Sequence, residues 1–292
     1  MTDNDMTAHT NYTADDVSWA DASEVDVFER EENSAAPGIR DAHSLLATVL
    51  GDGVHQLDRE DPRNPDTVQA MPIVLNMPKA SPPRRRELLE AAALASVLVC
   101  LDARAGRDGV WKESLSRWYG ARIRKIARRA RTSGQWSKVQ SILGVTVTIG
   151  ESSARAFLPG PVRDVDPRIG KLQISGTDLP REDEEQTERI GGSDPVCPTI
   201  ALNEDLEMSV GKAAAQVGHA AMLWAAHASF PTVERWLHEP RFTIVEVPSS
   251  ELEAAARRYG AGHYVEVVDA GFTEVAPGSR TAVAFDPDVA IS

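Results

Sequence analysis

Cysteine is scarce: the 292 residues contain only Cys100 and Cys197. Neither has a second Cys or a His close by in the sequence, so neither a disulfide framework nor a zinc motif follows, and a reducing compartment is the simplest setting. Long apolar runs are missing too. None approaches the ~20 residues that a membrane helix needs, and the polar, acidic N-terminus lacks the basic-then-apolar pattern of a secretion signal. The chain is therefore expected in the cytoplasm, away from membranes. No spacing of Cys, His, Asp and Glu suggests metal ligands, so no metal and no cofactor are expected. What is present is 42% hydrophobic and 26% charged residues, enough for a buried core in one large or two small domains.

Positive charge is short overall, with a formal net charge of −13, but it is unevenly spread. Residues 1–66 carry 16 acidic and 4 basic side chains, residues 67–170 carry 8 and 18, and residues 171–292 carry 20 and 9. Only the middle third has the electrostatics of a nucleic-acid surface.

These shifts divide the chain. Residues 1–66 read as an acidic, largely disordered tail, with a short amphipathic helix over Ala42–Leu50. Its simplest role is solubilising; the alternative is competition with nucleic acid for the basic segment. Residues 67–170 read as strand (Pro72–Met77), helix (Arg84–Leu101), helix (Trp111–Tyr119), a stretch that suits helix or strand (Arg122–Ala130, strand being favoured by its alignment with Arg241–Val247), helix (Ser137–Ile142) and two strands (Val145–Ile149, Ala154–Leu158). Residues 171–194 are an acidic linker. Residues 195–292 repeat the pattern: strand (Thr199–Leu202), helix (Gly211–Ala226), helix (Thr232–His238), strand (Phe242–Val247), helix to Tyr259, and strands Tyr264–Val268 and Thr281–Phe285. This order implies an α/β fold with a mixed sheet and helices on both faces.

The two halves read as a tandem duplication. At an offset of 118, Arg117-Trp118 meets Arg235-Trp236, Gly144 meets Gly262, Val147 meets Val265, and Pro159-Gly160 meets Pro277-Gly278. On the same offset Asp269 meets Glu151 and Thr273 meets Arg155. Ile73-Val74-Leu75-Asn76 matches Ile200-Ala201-Leu202-Asn203. The first copy is degenerate and basic. Its Arg122, Arg124, Lys125, Arg128 and Arg129 are candidates for holding RNA.

The densest chemistry lies in Met208–Met222. Gly211-Lys212 opens an alanine-rich, proline-free helix. Lys212, Gln216 and His219 fall at i, i+4 and i+7 on one of its faces, and a lysine at a helix start makes an anion site plausible. Met208 to Ala220, Met-x-x-Gly-Lys-x-Ala-Ala-Gln-x-x-His-Ala in pattern, resembles the first signature of the type II peptidyl-tRNA hydrolase family. Asp269-Ala270-Gly271-Phe272-Thr273-Glu274-Val275-Ala276-Pro277-Gly278-Ser279-Arg280-Thr281 resembles the second. The resemblance covers about a third of the chain.

It implies hydrolysis of the ester joining a peptide to the 3′-terminal ribose of tRNA, with tRNA as partner. Such a reaction needs an oriented water, a stabilised oxyanion and a proton for the leaving oxygen. Lys212 is the candidate cation and Asp269 the candidate group for orienting water or holding Lys212. Gln216 and Thr273 complete the catalytic set. Gly211, Thr281 and His219 are candidates for binding substrate, histidine being the residue type that titrates near neutrality. Each has a plainer reading: a solvated lysine, a turn aspartate, a strand threonine, a helical histidine held by a backbone group. Two positions depart from the family pattern. Val210 replaces a second lysine, and Phe272 stands where an arginine is common, so a non-catalytic tRNA-binding protein is the alternative. The copies are expected to pack as an intramolecular pseudo-dimer, or the chain to form a homodimer.

Overall fold

The computed structural model describes residues 35–50, 60–61, 63–181, 190, 196–271 and 274–287. Most of the acidic tail, the acidic core of the linker, Phe272 and Thr273 lie outside the described residues. The first half contains α1 (Ala35–Leu50), β1 (Gln69–Asn76), α2 (Arg85–Leu101), α3 (Val110–Tyr119) and β2 (Arg124–Ala130). It continues with α4 (Ser133–Val139), β3 (Gly144–Ile149), β4 (Ser152–Phe157), the two-residue β5 (Gly160–Pro161) and α5 (Pro167–Gly170). The second half comprises β6 (Thr199–Asn203), α6 (Val210–His227), α7 (Phe230–Leu237), β7 (Thr243–Val247), α8 (Ser249–Tyr259), β8 (Tyr264–Val268) and β9 (Arg280–Phe285).

Each half forms one mixed sheet with the same strand order and sense. The first is β2-β1-β4-β3 and the second β7-β6-β9-β8, with one parallel pair and two antiparallel pairs in each. The additional β5 pairs with β1, and Pro72, which has no N–H to donate, falls between the β5 and β4 pairings. Helices cover both faces of each sheet. On the outer side α4 and α5 close over Val74, Ala130 and Phe157, and α8 closes over Ala201, Val245 and Val283. On the inner side α2 and α6 lie between the sheets and share one apolar core that runs through both halves. No helix among the described residues is long and apolar enough to cross a membrane.

The strand registers refine the correspondence between halves. Ile73 pairs with Ala156 and Ile200 with Ala284, while Ala156 pairs with Val145 and Ala284 with Val265. Val145, not Val147, is therefore the counterpart of Val265, and Gly144 is the counterpart of Tyr264 rather than Gly262. Pro159-Gly160 follows β4, whereas Pro277-Gly278 precedes β9, so these dipeptides are not equivalent, and Arg155 corresponds to Val283 rather than Thr273. The 118 offset does hold at Trp118 and Trp236. Each donates its indole N–H to a backbone carbonyl at the entry to the next strand, Arg124 O at 3.0 Å and Arg241 O at 2.9 Å.

Two further boundaries move. α1 begins seven residues before Ala42 and packs on α6, where His43 Nε2 meets the carbonyls of Ala225 and Ala228 at 3.0 and 3.1 Å. The opening stretch of the 171–194 segment is docked, with Thr177 buried against Gly211 and Gln173 bridged to Arg129.

Candidate active site

The site forms where α6 starts beneath the β8–β9 connection. After β6 the chain turns through Asn203, whose side chain accepts from Asp205 N–H at 3.1 Å and donates to Arg280 O at 3.1 Å. Glu207 then takes a left-handed conformation (φ 47°), and Ser209 caps α6, its hydroxyl accepting from Lys212 N–H at 3.2 Å. The opposing loop is held as firmly. Asp269 N–H donates to Ser279 O at 2.9 Å and Gly278 N–H to Asp269 O at 2.8 Å. Gly271, at φ 80°, has no room for a side chain, since a Cβ would meet the Pro277 ring at 2.3 Å.

Asp269 is the centre of the polar network. Oδ1 accepts from Gly271 N–H at 2.7 Å; Oδ2 accepts from Gln216 Nε2 at 2.6 Å and forms an ion pair with Lys212 Nζ. Burial alone would raise the Asp269 pKa, but the Lys212 bond, the Gly271 N–H, the Lys212 charge and the Gln216 bond together hold it below 3.8. Both charged side chains are 11% exposed, so the pair is shielded yet reachable. Gln216 is buried, and its Oε1 has no partner among the described residues. The arrangement sets a fixed ammonium and an amide acceptor on one face of α6 against a fixed carboxylate from the β8–β9 loop. With its pKa lowered, Asp269 suits orienting Lys212 and a water better than acting as a strong base.

The other candidates are distributed differently. Gly211 N–H donates to Thr177 Oγ1 at 3.0 Å, making it a contact with the segment between the halves. Thr281 is fully buried, and its hydroxyl donates to Val267 O at 3.1 Å, which ties β9 to β8. His219 Nδ1 lies 3.2 Å from Lys125 Nζ of the first half. Thr273 is outside the described residues. Arg122 and Arg124 pair with Glu60, Arg128 donates to the carbonyls of Gly170 and Leu172, and Arg129 is buried against Gln173. Val210 is a core residue with no exposure.

The sequence reading missed two supports of the site. Glu274 accepts from Ser209 N–H at 2.9 Å and from Ser209 Oγ at 2.7 Å, clamping the β8–β9 loop to the start of α6. Thr177 covers Gly211. Serine before Val210-Gly211-Lys212 is a helix-start signature, but nothing local announces its distant partner. The first half lacks the whole arrangement. Counting from the caps Arg84 and Ser209, Glu87 stands where α6 has Lys212, and Gly150-Glu151 joins β3 to β4 directly where the second half carries the Asp269 loop.

The profile of the family described as Peptidyl-tRNA hydrolase PTH2 matches residues 197–290. A peptidyl-tRNA hydrolase of Pyrobaculum aerophilum is 37% identical over 99 residues, covering 30% of this chain and 82% of the relative. The chain belongs to the peptidyl-tRNA hydrolase family. Peptidyl-tRNA hydrolases of Methanopyrus kandleri (38% identical over 97 residues, 30% and 82% covered) and Methanocaldococcus jannaschii (36% over 97, 30% and 84%) match the same third of the chain. No solved structure matches the chain. The family match contains Lys212, Gln216 and Asp269 and excludes the whole first half.

Proposed function

We propose that the second half hydrolyses the ester between a peptide, or an N-blocked amino acid, and the 3′-terminal ribose of tRNA. The observation that carries this reading is the Lys212–Asp269–Gln216 network, built from both family signatures and held rigid by backbone bonds. Lys212 stabilises the oxyanion that forms as water attacks the acyl carbon. Asp269 keeps the ammonium in place and orients that water. Gln216 accepts a hydrogen bond from water or ribose, and Thr273 assists from the loop. The bond from the acyl carbon to the ribose oxygen then breaks, and the ribose oxygen takes up a proton.

The first half is a degenerate duplicate that helps to hold the tRNA body. Its identical strand order and excess of basic residues support this, as does its packing through α2 on α6, which makes a pseudo-dimer within one chain. Its contribution to RNA binding rests on exposed cations such as Arg84, Arg117, Arg122 and Arg131, whereas Lys125 and Arg129 are buried. The setting is the cytoplasm.

The test is release of N-acetyl amino acid from N-acetylaminoacyl-tRNA in EDTA. The wild-type chain should release it, and Lys212→Ala and Asp269→Ala should each lower kcat/KM by roughly a hundredfold or more, the scale of losing one oxyanion-stabilising donor. An inert wild-type chain that still retards tRNA on a gel would favour the non-catalytic binding protein.

A further inference from the structure

β2, the edge strand of the first sheet, lies along the flank of α6. Lys125, near its start, reaches His219. Arg129, near its end, is linked through Gln173 and the segment after it to Thr177 and Gly211. The Lys125 stem fits because α6 has glycine at position 218, where a Cβ would come within 3.2 Å of Lys125 Cδ. Its ammonium lies 5.0 Å from the Trp118 ring centroid and 3.2 Å from His219 Nδ1. The titratable groups around it are Cys100 of α2, with the Tyr119 hydroxyl of α3 beside that thiol, and His219 of α6. Among the described residues no carboxylate acts on it.

We propose that Lys125 is a positioning residue for the hydrolytic site: it donates to Nδ1 of His219 and holds the imidazole as the Nε2–H tautomer on the Lys212–Gln216 face of α6. His219 then presents a fixed N–H donor to the acyl-ribose end of the substrate. His219 follows Gln216 by three residues, so their Cβ atoms are neighbours about 5–6 Å apart, and Gln216 is itself bonded to Asp269. A ring nitrogen's proton is placed by the bond its other nitrogen makes, and here that bond comes from the half outside the family match. Burial draws the Lys125 ammonium down from 10.5 to about 7, with the Cys100 charge opposing. The substrate role rests on the function proposed above; the tautomer does not.

The experiment uses the full chain, 15N-labelled at histidine, with His219→Gln to identify the His219 signals. In the wild type, Nδ1 should read as an unprotonated acceptor and Nε2 as N–H. Lys125→Met fills the same space without donating, and should give mixed tautomers and a fall in kcat/KM of roughly tenfold to a hundredfold. In the His219→Gln background Lys125→Met should cost nothing further, and Lys125→Arg, which restores a donor, should recover part of the loss. A wild-type ring protonated at Nδ1, or an equal loss from Lys125→Met in both backgrounds, overturns the proposal, and the wild-type spectrum decides even if Lys125→Met does not fold. A wild-type chain inert toward N-acetylaminoacyl-tRNA overturns the assigned reaction and with it the substrate role of His219. The ring spectra still decide separately whether Lys125 sets the tautomer.

Discussion

Asp269 is asked to remain ionised in a shielded place, and its pH response follows from how that is done. Its carboxylate loses water but gains the Lys212 ion pair, the Gly271 N–H and the Gln216 amide, so its folded pKa lies below 3.8. A depressed carboxylate contributes stability that is fully present above its unfolded pKa and disappears as pH falls through the folded value. Asp269→Asn should therefore be less stable by about 2 kcal/mol near pH 7, the scale of a charge-assisted hydrogen bond. The gap in melting temperature between variant and wild type should hold from pH 8 to pH 5 and close below pH 4. Thermal melts across that range check this, and a gap unchanged at pH 3 would mean that the carboxylate's charge is not what the network stabilises. At this scale much of the site could be read in the linear chain. Lys212, Gln216 and Asp269 stand in two recognisable signatures, and the structure brings them together. Thr281 carried the same motif support, yet its hydroxyl serves β8; a threonine opening a strand gives no sign of which neighbour it will bond.

Among elements, what local pattern controls was legible and what distant packing controls was not. Nearly every strand of both sheets lies within a few residues of its expected place, because alternating or continuous apolar runs bounded by Gly and Pro are local signals. The start of α1 was not legible, since Pro37-Gly38 reads as coil while the helix is held by contacts of Ala42, His43 and Leu46 with distant elements. α4 begins four residues earlier than expected, at a cap that was overlooked. Thr132 Oγ1 accepts from Gln135 N–H, and Gln135 reaches back to Arg131 N–H. The docking of 172–181 had no local signal at all. The contact of α2 with α6 is likewise invisible in either helix alone, and it is tight. A Cβ at Gly218 would lie 2.7 Å from Ser96 Oγ and 3.1 Å from Ser96 Cβ. Gly218→Ala should therefore destabilise the chain by about 1–3 kcal/mol, the usual cost of overpacking, outweighing the helix propensity gained. Ser96→Gly should restore most of that loss in the double variant. Denaturant unfolding of the four proteins measures it, and additive losses would show that the helices do not meet at this pair.

For the whole molecule the consequence is that the catalytic half is not an independent body. Its α6 turns one side to its own sheet, through Ala213, Val217, Ala220 and Trp224, and another to the first half and the segment that follows it, through Gly211, Ala215, Gly218 and Met222; all eight residues are buried. α1 covers the C-terminal end of the same helix through His43. A fragment of residues 195–292 contains both family signatures and the Lys212–Asp269 pair, but it would expose the side of α6 that α2, β2 and Thr177 now cover. Apolar surface on that scale is hidden by association. The small-residue face of α6, shaped to receive another helix closely, has a second copy of itself as the available partner, in an isologous contact. Size-exclusion chromatography with light scattering should therefore find the intact chain monomeric and the fragment dimeric. The fragment should also bind tRNA more weakly, since it carries 13 acidic against 6 basic side chains and loses the 18 basic ones of residues 67–170. A fragment that stays monomeric and melts as cooperatively as the intact chain would mean that the α2–α6 contact is a convenience of the tether. The first half would then have no part in the fold of its neighbour, and only its proposed hold on tRNA would remain.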